Sequence, residues 1–358
     1  MKLNIELGSC VRVASKYSEC TLCADICPIN AITYNENILN LDDSCIDCGG
    51  CIGICPTEAI SLSDFDTLDF IFEHLKSDET LISCKKNIPC LAVLSVENLV
   101  SMALLGEDET LLDLGHCKTC DIREPLYENI LKNIKEANYF LQELGSKKKI
   151  AAEEIGYTKE VVQEEGNRRD FFKRFSVKGA IESKVAFDKE LEAEDKRGTL
   201  DNATTAKLKE KSLPNKRKLL YMALKRVKDK PHFTDIPYDS ISFISQKSID
   251  SSCDNCSFCY RICPTGALSS DHRGTKIDFD ALACVKCRLC HDVCQTDSIH
   301  LESFETASIF EPKVDELIKF NVRKCDECGV HFTYFTDETS CRRCTIEEEE
   351  AKSLWGIQ

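Results

Sequence analysis

The sequence predicts an α+β multidomain protein, and three observations carry that reading. Its 358 residues include 24 cysteines, most of them in C-x2-C pairs. These cysteines stop at Cys120 and resume at Cys253, so two cysteine-bearing ends flank a cysteine-free middle. Two cysteine-rich stretches, one near each end, also repeat one another, and such internal repetition is hard to explain by accident. The chain divides accordingly into five pieces: 1–64, 65–125, 126–245, 246–303 and 304–358.

A chain of this length supports two or three domains, each with its own core. Its apolar content is ordinary, and the excess of cysteine is what sets it apart. The N-terminus "MKLNIELGSC" lacks the basic, apolar and small-residue pattern of a signal peptide, and no run of 18 apolar residues is present to span a membrane. Paired cysteines in that context favour metal ligation over disulfides, so the expected location is the cytoplasm of an anaerobic or microaerobic cell. The net charge of −15 is uneven. From Ser146 to His232 there are 23 Lys+Arg against 15 Asp+Glu, so the middle is basic and the cysteine-bearing ends are acidic. Acidic ends argue against nucleic acid as the main partner.

The first piece contains "CTLCADICPINAITYNENILNLDDSCIDCGGCIGICPTEAISL" and the fourth "CSFCYRICPTGALSSDHRGTKIDFDALACVKCRLCHDVCQTDSIHL". Each has a cysteine run, a hairpin-like stretch, a second run and a closing strand-like stretch. The fourth piece holds the pattern C-x2-C-x2-C-x3-C twice: Cys253, Cys256, Cys259 and Cys263-Pro264, then Cys284, Cys287, Cys290 and Cys294, followed by Gln295 in place of proline. In the first piece the second run, Cys45, Cys48, Cys51 and Cys55-Pro56, is complete. The first run has Cys20, Cys23 and Cys27-Pro28, but Tyr17 stands where another cysteine is expected.

These two pieces resemble bacterial two-cluster 2[4Fe–4S] ferredoxins, which makes the whole polyferredoxin-like. In that family three thiolates of one run and the last cysteine of the other hold each cubane. The resemblance therefore implies four [4Fe–4S] sites. Site 1 is Cys10, Cys20, Cys23 and Cys55; site 2 is Cys45, Cys48, Cys51 and Cys27. Site 3 is Cys253, Cys256, Cys259 and Cys294; site 4 is Cys284, Cys287, Cys290 and Cys263. Paired zinc ions are the alternative, but zinc has no need of this spacing. Cys10 enters because "KLNIEL" alternates like the strand that leads into the family's first ligand. The nine residues "VRVASKYSE" between Cys10 and Cys20, seven more than the family has, reach up to about 30 Å when extended. They are expected to fold over the cluster and alter its solvent exposure. The competing reading leaves Cys10 a spare thiol and the site with three irons.

The second piece repeats a strand-plus-cysteines design. "TLISCKKNIPC" carries Cys84 and Cys90, and "TLLDLGHCKTC" carries Cys117 and Cys120. Between them "LSVENLVSMALLG" has helical spacing, with Leu94, Val96, Leu99, Val100, Ala103 and Leu104 on one apolar face and Gly106 at its end. Strand, helix, strand implies parallel pairing, with both cysteine pairs at the carboxyl ends of neighbouring strands. The four cysteines, site 5, are expected to bind a metal: [2Fe–2S], [4Fe–4S] or zinc, with His116 a possible alternative ligand and a thioredoxin-like thiol pair the rival. The spacing loosely resembles the iron–sulfur delta subunits associated with hydrogenases and heterodisulfide reductases.

In the fifth piece Cys325-x2-Cys328 and Cys341-x2-Cys344 form two knuckles, a zinc-ribbon-like pattern expected to hold structural zinc, with rubredoxin-like iron as the alternative. This is site 6. With it, sixteen cysteines serve four clusters and eight serve sites 5 and 6, which accounts for all 24. The middle reads as an amphipathic helix at "REPLYENILKNIKEANYFLQELG", a basic-aromatic turn at "NRRDFFKRFS", a polar linker at "FDKELEAEDKRGTLDNATTAKLKEKS" and a second basic helix between Pro214 and Pro231. "NRRDFFKRFS" lacks the apolar region of a twin-arginine export signal.

No G-x-G-x-x-G or P-loop is present, and no cysteine is left for nucleophilic work. The expected function is electron transfer to or from a cytoplasmic redox enzyme, of the formate dehydrogenase or hydrogenase type, rather than catalysis. The alternative is an accessory or maturation protein for a metalloenzyme.

Overall fold

The computed structural model of the chain describes residues 2–35, 38–107, 109–158, 210–227 and 234–356. Strands β1 (Leu3–Ile5), β2 (Ile32–Asn35), β3 (Ile38–Leu41) and β4 (Ile60–Leu62) form two antiparallel pairs, β1 with β4 and β2 with β3. Three short helices, α1 (Val11–Ala14), α2 (Leu22–Asp25) and α3 (Gly50–Ile54), lie between them. The β1–β4 pairing brings the two ends of the first piece together, setting Leu3 opposite Leu62.

A three-stranded parallel sheet follows. It is built from β5 (Leu81–Ile82), β6 (Thr110–Asp113) and β7 (Ile150–Glu153), in that order. Helix α4 (Thr67–Lys76) precedes it, α5 (Val96–Leu105) connects β5 to β6, and α6 (Arg123–Glu143) connects β6 to β7. The β5–α5–β6 unit is thus the expected strand–helix–strand crossover. Ser95 caps α5 through a capping box with Asn98, and Gly106 ends it. The burial goes further than the expected apolar face. Rather than turning a single apolar face inward, α5 is buried all round from Val96 to Ala103, because α6 and a later helix cover its other sides.

That later helix is α7 (Asn215–Leu224). In α6 the apolar residues Leu126, Ile130, Ile134, Ala137 and Leu141 recur at helical spacing and are all buried. In α7, Leu219, Leu220, Ala223 and Leu224 are buried, and so are Lys216 and Arg217. The ends of the middle piece are therefore parts of the core: β7 completes the parallel sheet, and Lys216 and Arg217 of the second basic helix are buried. The segments "NRRDFFKRFS" and most of "FDKELEAEDKRGTLDNATTAKLKEKS" lie outside the described residues.

The second cysteine-rich unit repeats the pairing of the first. After β8 (Asp235–Ile236), strand β9 (Gln246–Ile249) pairs with β12 (Ile299–Glu302), and β10 (Leu268–Ser270) pairs with β11 (Lys276–Phe279), all antiparallel. Helices α8 (Phe258–Ile262) and α9 (Leu289–Asp292) occupy the places of α2 and α3. The 303/304 border expected from the sequence is crossed by sheet pairing. β13 (Phe304–Glu305) pairs with β8, and after α10 (Ala307–Phe310), β14 (Asp315–Lys319) adds to the free edge of β11. The pairing gives that edge backbone partners. Beyond it, β15 (Val322–Lys324) and β16 (His331–Thr333) form a hairpin, and α11 (Arg342–Trp355) ends the described chain.

One apolar core runs from Leu3 to Ile309 through both cysteine-rich units and the parallel sheet. A second, small apolar contact joins the units directly. Val11 of α1 packs on Leu289 and Val293, with Cys20 and Cys287 against its edge. Beside it the Glu19 amide donates to Asp292 Oδ2 at 3.0 Å. The residues between Cys10 and Cys20 therefore do more than cover the first unit: they tie it to the second. Among the described residues no helix is long and apolar enough to cross a membrane.

Candidate iron–sulfur and metal sites

The local backbone around each cysteine run follows from its spacing. The residue three positions after the last cysteine of a run has positive φ in all four runs: Asn30 (54°), Glu58 (54°), Gly266 (73°) and Asp297 (49°). Inside three runs, the second residue after the first cysteine and the residue after the second cysteine are also left-handed. These are Asp47 and Gly49, Asn255 and Ser257, and Lys286 and Arg288. Left-handed non-glycine residues are uncommon and cost energy, so their regular recurrence marks a backbone shaped for a purpose. Such turns aim successive N–H groups at one point, which suits an anionic cluster. Two of these groups reach sulfur: the Ala31 amide donates to Cys27 Sγ and the Ala59 amide to Cys55 Sγ, each at 3.3 Å. The first run lacks the pair of internal left-handed residues, as expected where Cys10 replaces a local first ligand.

Four cavities collect the sixteen cysteines of these runs. One is lined by Cys10, Cys20, Cys23 and Cys55; a second by Cys27, Cys45, Cys48 and Cys51. A third is lined by Cys253, Cys256, Cys259 and Cys294, and a fourth by Cys263, Cys284, Cys287 and Cys290. Each cavity thus takes three cysteines from one run and the last from the other, except that in the first Cys10 completes the set. Cys10 is buried at the start of α1 and faces Cys55. Tyr17, in the slot the spacing left without a cysteine, is exposed.

Burial pushes the Cys20 and Cys23 thiols up to about 11 and the Cys290 thiol to about 12, and neighbouring thiols add to the first two shifts. Thiols gathered in this way, buried or half-buried for the most part, are poor company unless a cation centre takes them as thiolates. The sulfurs are too widely spaced for a single ion: among the described residues, only at site 6 do three or more such ligand atoms gather within 4.8 Å. A tetrahedral zinc with Zn–S bonds of about 2.3 Å needs sulfurs about 3.8 Å apart. Wider quartets fit a cluster, whose thiolates sit at separate corners.

Several side chains near these sites were not legible in the sequence. The Tyr34 hydroxyl lies 3.4 Å from Cys23 Sγ, and Arg12 stacks over the Tyr34 ring at 5.0 Å. Ser298 Oγ lies 3.4 Å from Cys294 Sγ. Lys247 bonds His291 at 2.9 Å and offsets part of the burial that raises Cys290. No motif marks these residues: Tyr34 and Lys247 come from β2 and β9, Arg12 from α1, and Ser298 from the turn after Cys294.

At site 5 the sheet places Cys84 just beyond β5 and Cys117 just beyond β6. Burial raises Cys117 to about 11, with Cys84 and Cys120 adding to it, and raises Cys90 to about 12, with Cys48, Cys117 and Cys84 adding. The four thiols thus share one neighbourhood, and Cys90 also faces Cys48 of site 2. That approach depends on glycine. A Cβ on Gly53 of α3 would lie 2.3 Å from the Ala92 carbonyl oxygen, so only glycine lets α3 sit against the segment after Cys90. His116 is engaged elsewhere: its Nε2 lies 2.7 Å from the Tyr157 carbonyl oxygen.

Asp113, fully buried at the end of β6, ties the site 5 loops together. It accepts from the amides of Gly115, Gly156 and Tyr157 and from Ser83 Oγ, at 2.8–2.9 Å. Burial alone would raise its pKa, but these four donors hold it below the ordinary carboxylate value. Asp113→Asn is expected to cost about 1.5–3 kcal/mol at neutral pH. Because the folded pKa is depressed, that advantage is complete above the unfolded value of about 4 and fades as pH falls through the folded one. Denaturant titrations of both proteins across that window check the sign.

At site 6 the geometry is that of a single ion. Cys325, Cys328, Cys341 and Cys344 offer sulfurs all within 4.8 Å of one another, Cys328 and Cys341 at 3.7 Å. The Cys341 amide donates to Cys325 Sγ at 3.2 Å. Gly329, with φ of 69°, closes the first knuckle, and Cys341 begins α11.

Between the two cysteine-rich units lies a cleft of about 950 Å³ lined by Cys20 of one unit and Cys287 of the other. Its walls include residues of α5, α6 and α7, among them Lys216 and Glu97.

Comparison with known proteins places residues 252–298 in a 4Fe-4S dicluster domain family. Among curated relatives, the chain is 43% identical over 44 residues to "Ferredoxin 7Fe" of Hydrogenibacillus schlegelii, covering 12% of this chain and 56% of that protein. It is 33% identical over 60 residues to a ferredoxin of Rickettsia felis, covering 16% of this chain and 52% of the relative. It is 40% identical over 52 residues to Ferredoxin-3 of Chlorobaculum tepidum, covering 12% of this chain and 84% of the relative. The chain thus spans about half the length of the first two relatives. No solved structure matches.

Proposed function

From a chain that belongs to the ferredoxin family and carries a 4Fe-4S dicluster domain, we propose an iron–sulfur electron-transfer protein of the polyferredoxin kind. It relays single electrons to or from a cytoplasmic redox enzyme such as a formate dehydrogenase or hydrogenase. The observation that carries this reading is the sorting of sixteen cysteines into four cavities in the crossed pattern of two-cluster ferredoxins.

In this reading sites 1 to 4 each hold a [4Fe–4S] cluster, site 5 holds a further iron–sulfur centre and site 6 holds zinc. A bound cluster supplies a one-electron change of charge with little change of shape. The protein's own part is to fix the ligands and limit water. Cys23, Cys51, Cys259 and Cys290 are buried, and Leu3, Ile32, Leu39 and Ile60 wall the cavities of the first unit. The name of the Hydrogenibacillus relative specifies seven irons. Here Cys10 gives site 1 a fourth thiol, which favours four irons over three.

An accessory role in metalloenzyme assembly is the second reading. What favours it is the outer end of α11, where Leu354 and Trp355 are 85% and 79% exposed, an apolar tip suited to a protein partner. Potentiometric EPR of anaerobically purified protein, with iron and zinc counted on the same sample, separates the two. The relay requires reversible low-potential reduction and about sixteen or more irons per chain, four for each cubane. Labile clusters that do not reduce reversibly would refute the relay and favour assembly.

A further inference from the structure

Two neighbouring cations at the start of α7 lie between the facing sites of the two units. The Lys216 ammonium donates to the backbone carbonyl of Cys55, a site 1 cysteine. The Arg217 guanidinium donates to the backbone carbonyl of Cys284, a site 4 cysteine, at 2.8 Å. Both face one carboxylate. Arg217 Nε bonds Glu97 Oε1, and Lys216 Nζ lies 3.8 Å from Glu97 Oε2. All three side chains are buried, at 6%, 0% and 3% exposure for Lys216, Arg217 and Glu97. Arg217 also donates to the carbonyls of Leu282 and Phe243, which fixes the guanidinium in place. Glu58, three residues after Cys55, accepts from the amides of Asn215 and Lys216 and anchors the helix start.

We propose that Lys216, Arg217 and Glu97 form a shared charge node that sets how readily the groups at sites 1 and 4 accept an electron. This rests on the electron-transfer reading. Each site gains one negative charge on reduction. A buried cation bonded to the carbonyl of a ligand cysteine favours that gain, and a buried carboxylate opposes it. Because the side chains are at most 6% exposed, salt and solvent screen them less than surface charges. Lys216 acts on the Cys55 side and Arg217 on the Cys284 side, while Glu97 faces both. The three residues belong to neither ferredoxin-type unit. They come from α5 and α7, so this node is a feature of the assembly and not of a ferredoxin alone.

The arrangement makes an asymmetric prediction for potentiometric EPR of the full-length, anaerobically purified protein. Lys216→Met is expected to disfavour reduction of site 1 at least tenfold, about 59 mV for one electron, and to leave site 4 within threefold. The site 1 wave is assigned by its loss in Cys55→Ser. Lys216→Arg, which keeps the charge, is expected to restore it. Glu97→Gln keeps the shape and the bond to Arg217 but removes the negative charge, so it is expected to make both sites easier to reduce. A purely structural role would not move two sites in the same direction through one isosteric change. If Lys216→Met loses its cluster, Glu97→Gln still decides. Unchanged potentials at both sites in Glu97→Gln overturn the node and leave the relay standing. Clusters that do not reduce reversibly even in the unaltered protein would instead remove the reading on which it rests.

Discussion

Cys10→Ser is expected to convert site 1 from a four-iron to a three-iron centre. Anaerobically purified variant protein should show, in its oxidised state, the EPR signal characteristic of three-iron clusters, and should lose about one iron per chain, one corner of one cubane. The physical reason is that, among the described residues, Cys10 is the only cysteine from outside the two local runs that lines this cavity. Its removal leaves Cys20, Cys23 and Cys55, enough for three corners. The strand β1 and the turn after it hold Cys10 in place, and serine at the same position keeps that backbone. An unchanged spectrum and iron count would mean that Cys10 is a buried thiol and nothing more. A three-iron signal already present in the unaltered protein would mean the same.

The second large effect is on stability. Glu97→Ala is expected to destabilise the protein by about 3–5 kcal/mol, the cost of leaving a buried charge without its partner. Arg217 is fully buried and Glu97 nearly so, and the pair joins α5 to α7. Denaturant unfolding of the loaded protein, followed through the visible absorbance of its clusters, measures the loss. The exposed pair Lys118–Glu154, with both side chains about half exposed, is the control: Glu154→Ala should leave the midpoint where it was. Equal behaviour of the two variants would show that the buried pair contributes no more than a surface one.

The candidate sites were largely written in spacing. C-x2-C-x2-C-x3-C fixes which thiols share a turn, while the crossed grouping of sites 2, 3 and 4 is what the resemblance to two-cluster ferredoxins implies; the cavities collect the same cysteines. Cys10 was legible only by combining a strand-like alternation with a count of cysteines. The parallel β5–α5–β6 crossover could be read from periodicity and its capping residues. In the middle the two helices were legible, but not what they pack against. Basic helices usually lie on the surface, so the inward Lys216 and Arg217 had no local signal. Their burial depends on a carboxylate 120 residues distant in sequence and on carbonyls from two other units. The same holds for Tyr34, Arg12 and Asp113, whose roles rest on what the fold sets beside them.

By itself, the sequence determined the ligand chemistry: thiols at short intervals bind metal through geometry that a few consecutive residues create, whatever surrounds them. Tertiary structure alone decided how the sites stand toward one another. The stretch from Val11 to Glu19 read as cover for one cluster, yet it docks on Leu289, Val293 and Asp292 of the other unit. Helix α7 read only as a second basic helix, yet its Lys216 and Arg217 sit buried between two sites. Contacts of this kind join residues far apart in the chain, and their energy comes from burying surfaces and charges against each other. No local pattern encodes that, because neither partner carries the signal alone.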